Sequence, residues 1–161
     1  MSTDNNLANT DSLSTNNQTA QGTQCGESGY GMFEWPRKAW ATSDAPPPAG
    51  SYSQAVSASD TLYISGQTPR YPDGTRCADE PFEIQARVTL QNVESIARSA
   101  GTSLSQAAMV TVYLTNPEHQ AAEFDRVYRT FLDPSTPFPA RAIVQSSLPN
   151  GDIEITAVIP L

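Results

Sequence analysis

Two residues near the end of the chain have types and surroundings suited to chemistry on a small organic acid: Arg141 and Glu154. Arg141 lies in the run Pro137-Phe138-Pro139-Ala140-Arg141-Ala142-Ile143-Val144, at the start of an apolar β-type stretch. Glu154 lies inside the next such stretch, Asp152-Ile153-Glu154-Ile155-Thr156-Ala157. A carboxylate inside a strand-like segment is costly to bury unless it has a partner or a task. A guanidinium grips a planar carboxylate with paired hydrogen bonds and never deprotonates. Together they describe a pocket that anchors an organic acid through Arg141 and moves protons through Glu154. The same pair also fits an ordinary cross-strand salt bridge.

Other chemistries are poorly provided for. The chain has one histidine, His119, and two cysteines, Cys25 and Cys77, in segments that read as tail and loop. No metal-type spacing links them, so neither a metal site nor a cofactor is expected. Nothing in the sequence brings Cys77 and His119 together as a nucleophile and its base, and His119 reads as a surface residue.

The net charge of −8, with only nine basic residues, leaves no electrostatic footprint for nucleic acid or for an anionic membrane surface. No apolar run approaches transmembrane length, and the first residues lack the basic start and apolar stretch of a secretory signal. A soluble, cytoplasmic protein is the expectation.

The elements that must position the pair begin late in the chain. Residues 1 to about 31 are Ser, Thr, Asn, Gln and Gly with few large aliphatics, a composition that cannot offset its own ordering entropy. An aromatic island follows, with Tyr30, Met32, Phe33, Trp35 and Trp40. The division is therefore a disordered polar extension over 1–40 and a folded domain over 41–161, entered through the stiff Pro46-Pro47-Pro48.

Within the domain, Tyr52 to Val56 and Thr61 to Gly66 read as a hairpin turning at Ala58-Ser59-Asp60. Tyr71-Pro72-Asp73-Gly74 carries turn chemistry. Ala86, Leu90, Val93, Ala97 and Ala100 recur at helical spacing between Pro81 and Gly101. Ala107 to Thr115 has buried-strand composition, and Asn116-Pro117 opens a second helix with Ala121, Phe124, Val127, Tyr128 and Phe131 on one face. Ala140 to Ser146 and Ile153 to Ile159 are two further strands, joined by a turn at Pro149-Asn150-Gly151. Tyr63, Tyr113 and Tyr128 alternate with apolar residues and read as core.

The order β-β-α-β-α-β-β implies an α+β fold, a sheet covered on one face by two helices. Val144, Ile153, Ile155, Val158 and Ile159 in the last strands point to burial on both faces, hence to self-association.

These segments resemble the reactive intermediate deaminase family, also called the YjgF, YER057c and UK114 family. The resemblance spans roughly residues 41 to 161. It rests on Tyr52 with Gln54, Ile64-Ser65-Gly66-Gln67-Thr68-Pro69, Gln85-Ala86, Asn92, Ala100-Gly101 and Val112-Tyr113-Leu114. Tyr128 with Phe131, Pro139-Ala140-Arg141, Leu148-Pro149 and Ile153-Glu154-Ile155 complete it. It implies a chorismate-mutase-like fold with a mixed sheet, a homotrimer with pockets between subunits, and no metal or cofactor.

By the resemblance, Arg141 binds the carboxylate of a 2-enamine or 2-imine acid. Glu154 positions the hydrolytic water, giving a 2-keto acid and ammonia. Tyr52 would come from the neighbouring subunit, with Ser65, Gly66 and Ile143 lining the pocket. Three departures stand out: a segment from Arg141 to Glu154 about two residues short, Ile143 in place of a frequent cysteine, and Asp125 in place of a frequent asparagine. Two other readings keep the fold. One is a pathway-specific enzyme acting on a ring-derived imine or a carbamate; the other is a non-enzymatic trimeric module that binds a keto acid. Fold alone does not separate them.

Overall fold

Apolar periodicity and punctuation set the elements of the computed structural model, which describes residues 36–161. The chain runs β1 (Lys38–Trp40), β2 (Ala55–Ala58), β3 (Thr61–Gln67), α1 (Phe82–Ser99), β4 (Met109–Leu114), α2 (Pro117–Arg129), β5 (Ala140–Gln145) and β6 (Ile153–Pro160). A single 3-10 turn, Leu104–Gln106, leads into β4. Pro81 precedes α1 and Gly101 ends it in the left-handed region, at φ +84°. Pro117 occupies the first turn of α2, where its missing N–H costs nothing. Ser59 and Asp60, both at positive φ, make the tight turn between β2 and β3.

The strands form one mixed sheet in the order β1-β2-β3-β6-β4-β5. Every neighbouring pair is antiparallel except β4 with β5, which is parallel with α2 as its crossover. Both helices cover one face. Leu90, Val93 and Ile96 of α1 and Phe124 of α2 are buried there with Val110, Val112, Ile153, Ile155 and Ile159. The α+β architecture and the two-helix cover are those read from the sequence.

Three expectations are corrected. Residues 38–40, assigned to the extension, form an edge strand of the sheet, and the Trp40 indole donates to Ser57 Oγ at 2.9 Å. Their alternation is too short to register as a strand in isolation. Next, β5 and β6 do not form a hairpin, because β4 lies between them. Finally, Tyr63 is not core: it is 50% exposed on the helix-free face. That face also carries Glu154, Thr156 and Val158 of β6, so β6 buries one row of residues rather than two. Residues 1–31, Cys25, and Tyr30 to Trp35 lie outside the described residues.

Buried polar side chains hold the loops around the sheet. The Gln54 amide donates to the carbonyls of Thr42, Ala45 and Pro46 and accepts from Thr42 N–H, fixing the entry into the domain. Gln85 donates to Ala78 and Glu80 carbonyls and accepts from the Asp152 N–H. Asn92 donates to the Arg70 carbonyl at 2.8 Å. Each of these amides satisfies backbone groups that no strand or helix reaches. The family landmarks Gln54, Gln85 and Asn92 are thus scaffold residues.

Candidate active site

Glu154 stands on the helix-free face of β6, beneath a break in its neighbour. The pairing of β3 with β6 shifts register between Ile64 and Gln67, so three steps on β3 match two on β6. The extra residue bulges Ser65 and Gly66 out of the ladder toward Glu154, the usual way a bulge re-aims a strand beside a site. Gly66 is needed for this approach: a Cβ there would lie 2.0 Å from Glu154 Oε1 and 2.9 Å from its carboxyl carbon. Burial alone raises the pKa of Glu154 above the usual carboxylate value of 4.5.

Around this carboxylate is a cavity of about 310 Å³, at the lower end for small-molecule sites. Tyr52, Ser65 and Gly66 line it with Glu154, all from one chain. The Ser65 hydroxyl donates to the Ser53 carbonyl at 2.7 Å, tying the bulge to the loop that carries Tyr52. The Tyr52 hydroxyl accepts from Ala49 N–H at 3.0 Å. Tyr52 precedes β2 rather than lying within it, so a loop presents it.

Arg141 is elsewhere. It faces Val110 across the β4–β5 ladder, whereas Glu154 faces Tyr113 across the β4–β6 ladder. Those two β4 positions are three residues apart, so the two side chains leave opposite faces of the sheet. Counting residues along the chain between Arg141 and Glu154 misses this, because the path runs through a loop and skips over β4. The pair therefore forms neither a cross-strand salt bridge nor one pocket within a chain.

On the helix side, Arg141 Nη1 donates to Asp125 Oδ1 at 3.0 Å, while Arg129 Nε donates to Asp125 Oδ2 at 2.8 Å. These bonds, that from Arg129 first, hold the Asp125 carboxyl below its usual range. The Arg141 guanidinium also lies 5.2 Å from the Tyr128 ring centre and 5.5 Å from that of Phe124. A second cavity of about 240 Å³ opens here, bounded by Asp125, Tyr128, Phe138 and Arg141. Among the described residues the buried Tyr128 hydroxyl has no hydrogen-bond partner, and burial pushes its pKa up to about 12. Asp125, one of the three departures from the family pattern, is the partner that fixes Arg141. Ile143 packs against the core rather than into the Glu154 cavity.

Arg70, Arg76 and Asn150 also line the Glu154 cavity, and none of them was assigned to the site from sequence. The signal was present in the arginines flanking the Tyr71-Pro72-Asp73-Gly74 turn. That turn brings them opposite each other in an isolated β-bridge. Among the described residues no cluster of His, Cys, Asp and Glu could hold a metal ion. Cys77 is buried, and burial raises its thiol pKa. His119 is exposed. No helix among the described residues is long and apolar enough to cross a membrane.

The position of Gly66 makes a direct prediction. In Gly66→Ala the new methyl group displaces the end of a flexible side chain, so the fold survives with little change in melting temperature. The displaced Glu154 carboxylate, however, costs roughly 100-fold in any turnover that depends on its placement. Thermal melts alongside kinetics on one preparation check both halves.

Comparison with known proteins agrees with this fold. The RutC family protein y4sK of Sinorhizobium fredii (strain NBRC 101917 / NGR234) is 43% identical over 123 residues, covering 75% of this chain and 95% of that protein. The 2-iminobutanoate/2-iminopropanoate deaminase of Mus musculus is 33% identical over 124 residues, covering 76% of this chain and 90% of the mouse protein. The crystal structure of E. coli TdcF with bound serine superposes with a TM-score of 0.70 at 33% identity, covering 77% of this chain and 98% of TdcF. The profile of the family described as Endoribonuclease L-PSP matches residues 42–160. With the fold and these matches together, the chain belongs to the Endoribonuclease L-PSP family, the YjgF and UK114 family of reactive intermediate deaminases.

Proposed function

We propose that this protein hydrolyses reactive 2-enamine and 2-imine acids to 2-keto acids and ammonia, at a site completed between subunits of a homotrimer. The observation that carries the reading is Glu154: a half-buried carboxylate with a raised pKa, held under Gly66 in a cavity of small-molecule size. An imine carbon is already electrophilic, so the chemistry needs an oriented acid, one water and a group that exchanges a proton. Glu154 takes a proton from water as its oxygen bonds to the imine carbon and the C=N electrons move to nitrogen. It then returns that proton to the nitrogen; the remaining hydroxyl proton passes through Glu154 to the same nitrogen as the C–N bond breaks, so that ammonia leaves and the C=O of the keto acid forms. A carboxylate whose pKa burial has raised is suited to both transfers.

Because Tyr52, Ser65 and Glu154 share one chain's cavity, the neighbour's contribution in this reading is Arg141, not Tyr52. Asp125, Arg129 and Arg141 together leave one net positive charge, which serves to hold a substrate carboxylate. Exposed Tyr63 and Val144 on the helix-free face provide apolar surface for subunit contact. The mouse relative's name supports the reaction class. The family's endoribonuclease description fits this chain less well, since a net charge of −8 repels a polyanion.

The test is ammonia release from freshly generated 2-aminoacrylate or 2-iminobutanoate. Wild type accelerates it, and Arg141→Lys loses most of that acceleration, because a point ammonium cannot reproduce the paired fork. No acceleration by wild type, with 2-oxobutanoate still bound, would replace the enzyme by a ligand-binding module.

A further inference from the structure

The Glu154 cavity contains two cations that imine hydrolysis does not use. Arg70 and Arg76 both line it, and their β-bridge sets them directly opposite each other. Like charges placed opposite on paired strands repel, so the arrangement weakens the hairpin unless something offsets it. Nothing within the described residues does so with a carboxylate. Arg87, Arg98, Arg126, Arg129 and Arg141 each pair with an acid, but Arg70 and Arg76 do not. The nearest acid in the hairpin, Asp73, is turned onto its own loop, where Oδ1 accepts the Thr75 N–H at 2.8 Å. The Arg70 guanidinium donates to the Pro47 carbonyl, which steadies the side chain without neutralising it.

We infer that this cavity takes an imino acid bearing a second carboxylate, with Arg70 and Arg76 holding the distal carboxylate while the reacting carbon lies against Glu154. The inference rests on the deaminase reading for the reaction but not for the binding. Charge supports it. Arg70 and Arg76 with ionised Glu154 leave one net positive charge, and the Arg141, Arg129 and Asp125 group of a neighbouring subunit adds another. A dianionic substrate balances the two, whereas a monocarboxylic imine leaves one guanidinium unanswered in a partly dry cleft. Paired guanidinium forks also suit the planar carboxylate better than a neutral side chain.

The experiment compares 2-iminoglutarate with 2-iminobutanoate, each generated in situ by oxidation of the amino acid, and follows imine decay. Titration calorimetry compares 2-oxoglutarate with 2-oxobutanoate on the same protein. Wild type is expected to favour the dicarboxylic member of each pair. Arg76→Ala, at an exposed position, should lower the ratio of kcat/KM values by about tenfold or more, the effect of losing one charge-assisted hydrogen bond. Arg70→Lys, which keeps the charge but not the fork, should lower it less while preserving the hold on the loop. A wild type indifferent to the second carboxylate, or variants that leave the ratios unchanged, would overturn the inference. If neither imine is hydrolysed but 2-oxoglutarate binds preferentially and Arg76→Ala abolishes the preference, the deaminase reading falls and the dicarboxylate site stands.

Discussion

Glu154→Gln is expected to lower imine hydrolysis by roughly 10²- to 10⁴-fold, the usual range for a positioned acid–base group, while a 2-keto acid still binds. Glutamine keeps the shape beneath Gly66 and can still hydrogen-bond, but it cannot take a proton from water. In wild type, kcat/KM should fall as pH drops through the pKa of Glu154. That limb lies above the usual carboxylate value of 4.5 because burial disfavours the charged form. Glu154→Gln should lack the limb.

Stability gives an independent reading of the same group. The folded-state pKa lies above the unfolded one, so the folded protein binds more protons across that interval. The contribution of Glu154 to stability is therefore greatest below its unfolded pKa and declines as pH rises through the folded value. Above this window Glu154→Gln should melt no lower than wild type. A substantial loss of melting temperature at neutral pH would mark Glu154 as a structural ion-pair member and remove it from the chemistry.

The second large effect concerns where Arg141 acts. Since Arg141 and Glu154 leave opposite faces of one sheet, a shared site requires two chains. Arg141→Ala and Glu154→Gln are each expected to be nearly inactive alone. Co-expressed in equal amounts, they should recover roughly a quarter of wild-type activity: about three quarters of randomly assorted cyclic trimers are mixed, and each mixed trimer has one intact site of three. Recovery well above either single variant establishes that the two residues act across an interface. A mixture no more active than its components, despite demonstrated mixed trimers, would eliminate the shared site. A monomer by sedimentation at micromolar concentration would eliminate the trimer as well.

Local pattern determined much of this protein before any tertiary contact was considered. The spacing of Ala86, Leu90, Val93 and Ala97, with Pro81 before and Gly101 after, was enough for α1, because a helix face and its caps are written within a few turns of chain. Asn116-Pro117 and Phe124, Val127 and Tyr128 did the same for α2. The chemical types at the site were equally legible. Glu154 in an apolar strand drew attention because an acid is costly there without a purpose, whereas Ser65 and Gly66 entered through the family resemblance.

Pairing between distant strands was not legible. Whether Arg141 and Glu154 share a face depends on β4 lying between β5 and β6, and on the registers that β4 imposes on each. Side-chain period in a sheet is two, so one odd offset in a non-local ladder reverses a side chain's face. Likewise, the three residues of β1 mean nothing alone and become a strand only when β2 offers an edge. Arg70 and Arg76 flank a turn in the sequence and carry no local pattern that marks them for a site. Only the closed hairpin, packed against the β3 bulge, sets them opposite each other in the cavity with Glu154. Residue chemistry and local helices are properties of the chain, whereas the electrostatics of the site are set by distances that only the folded sheet defines.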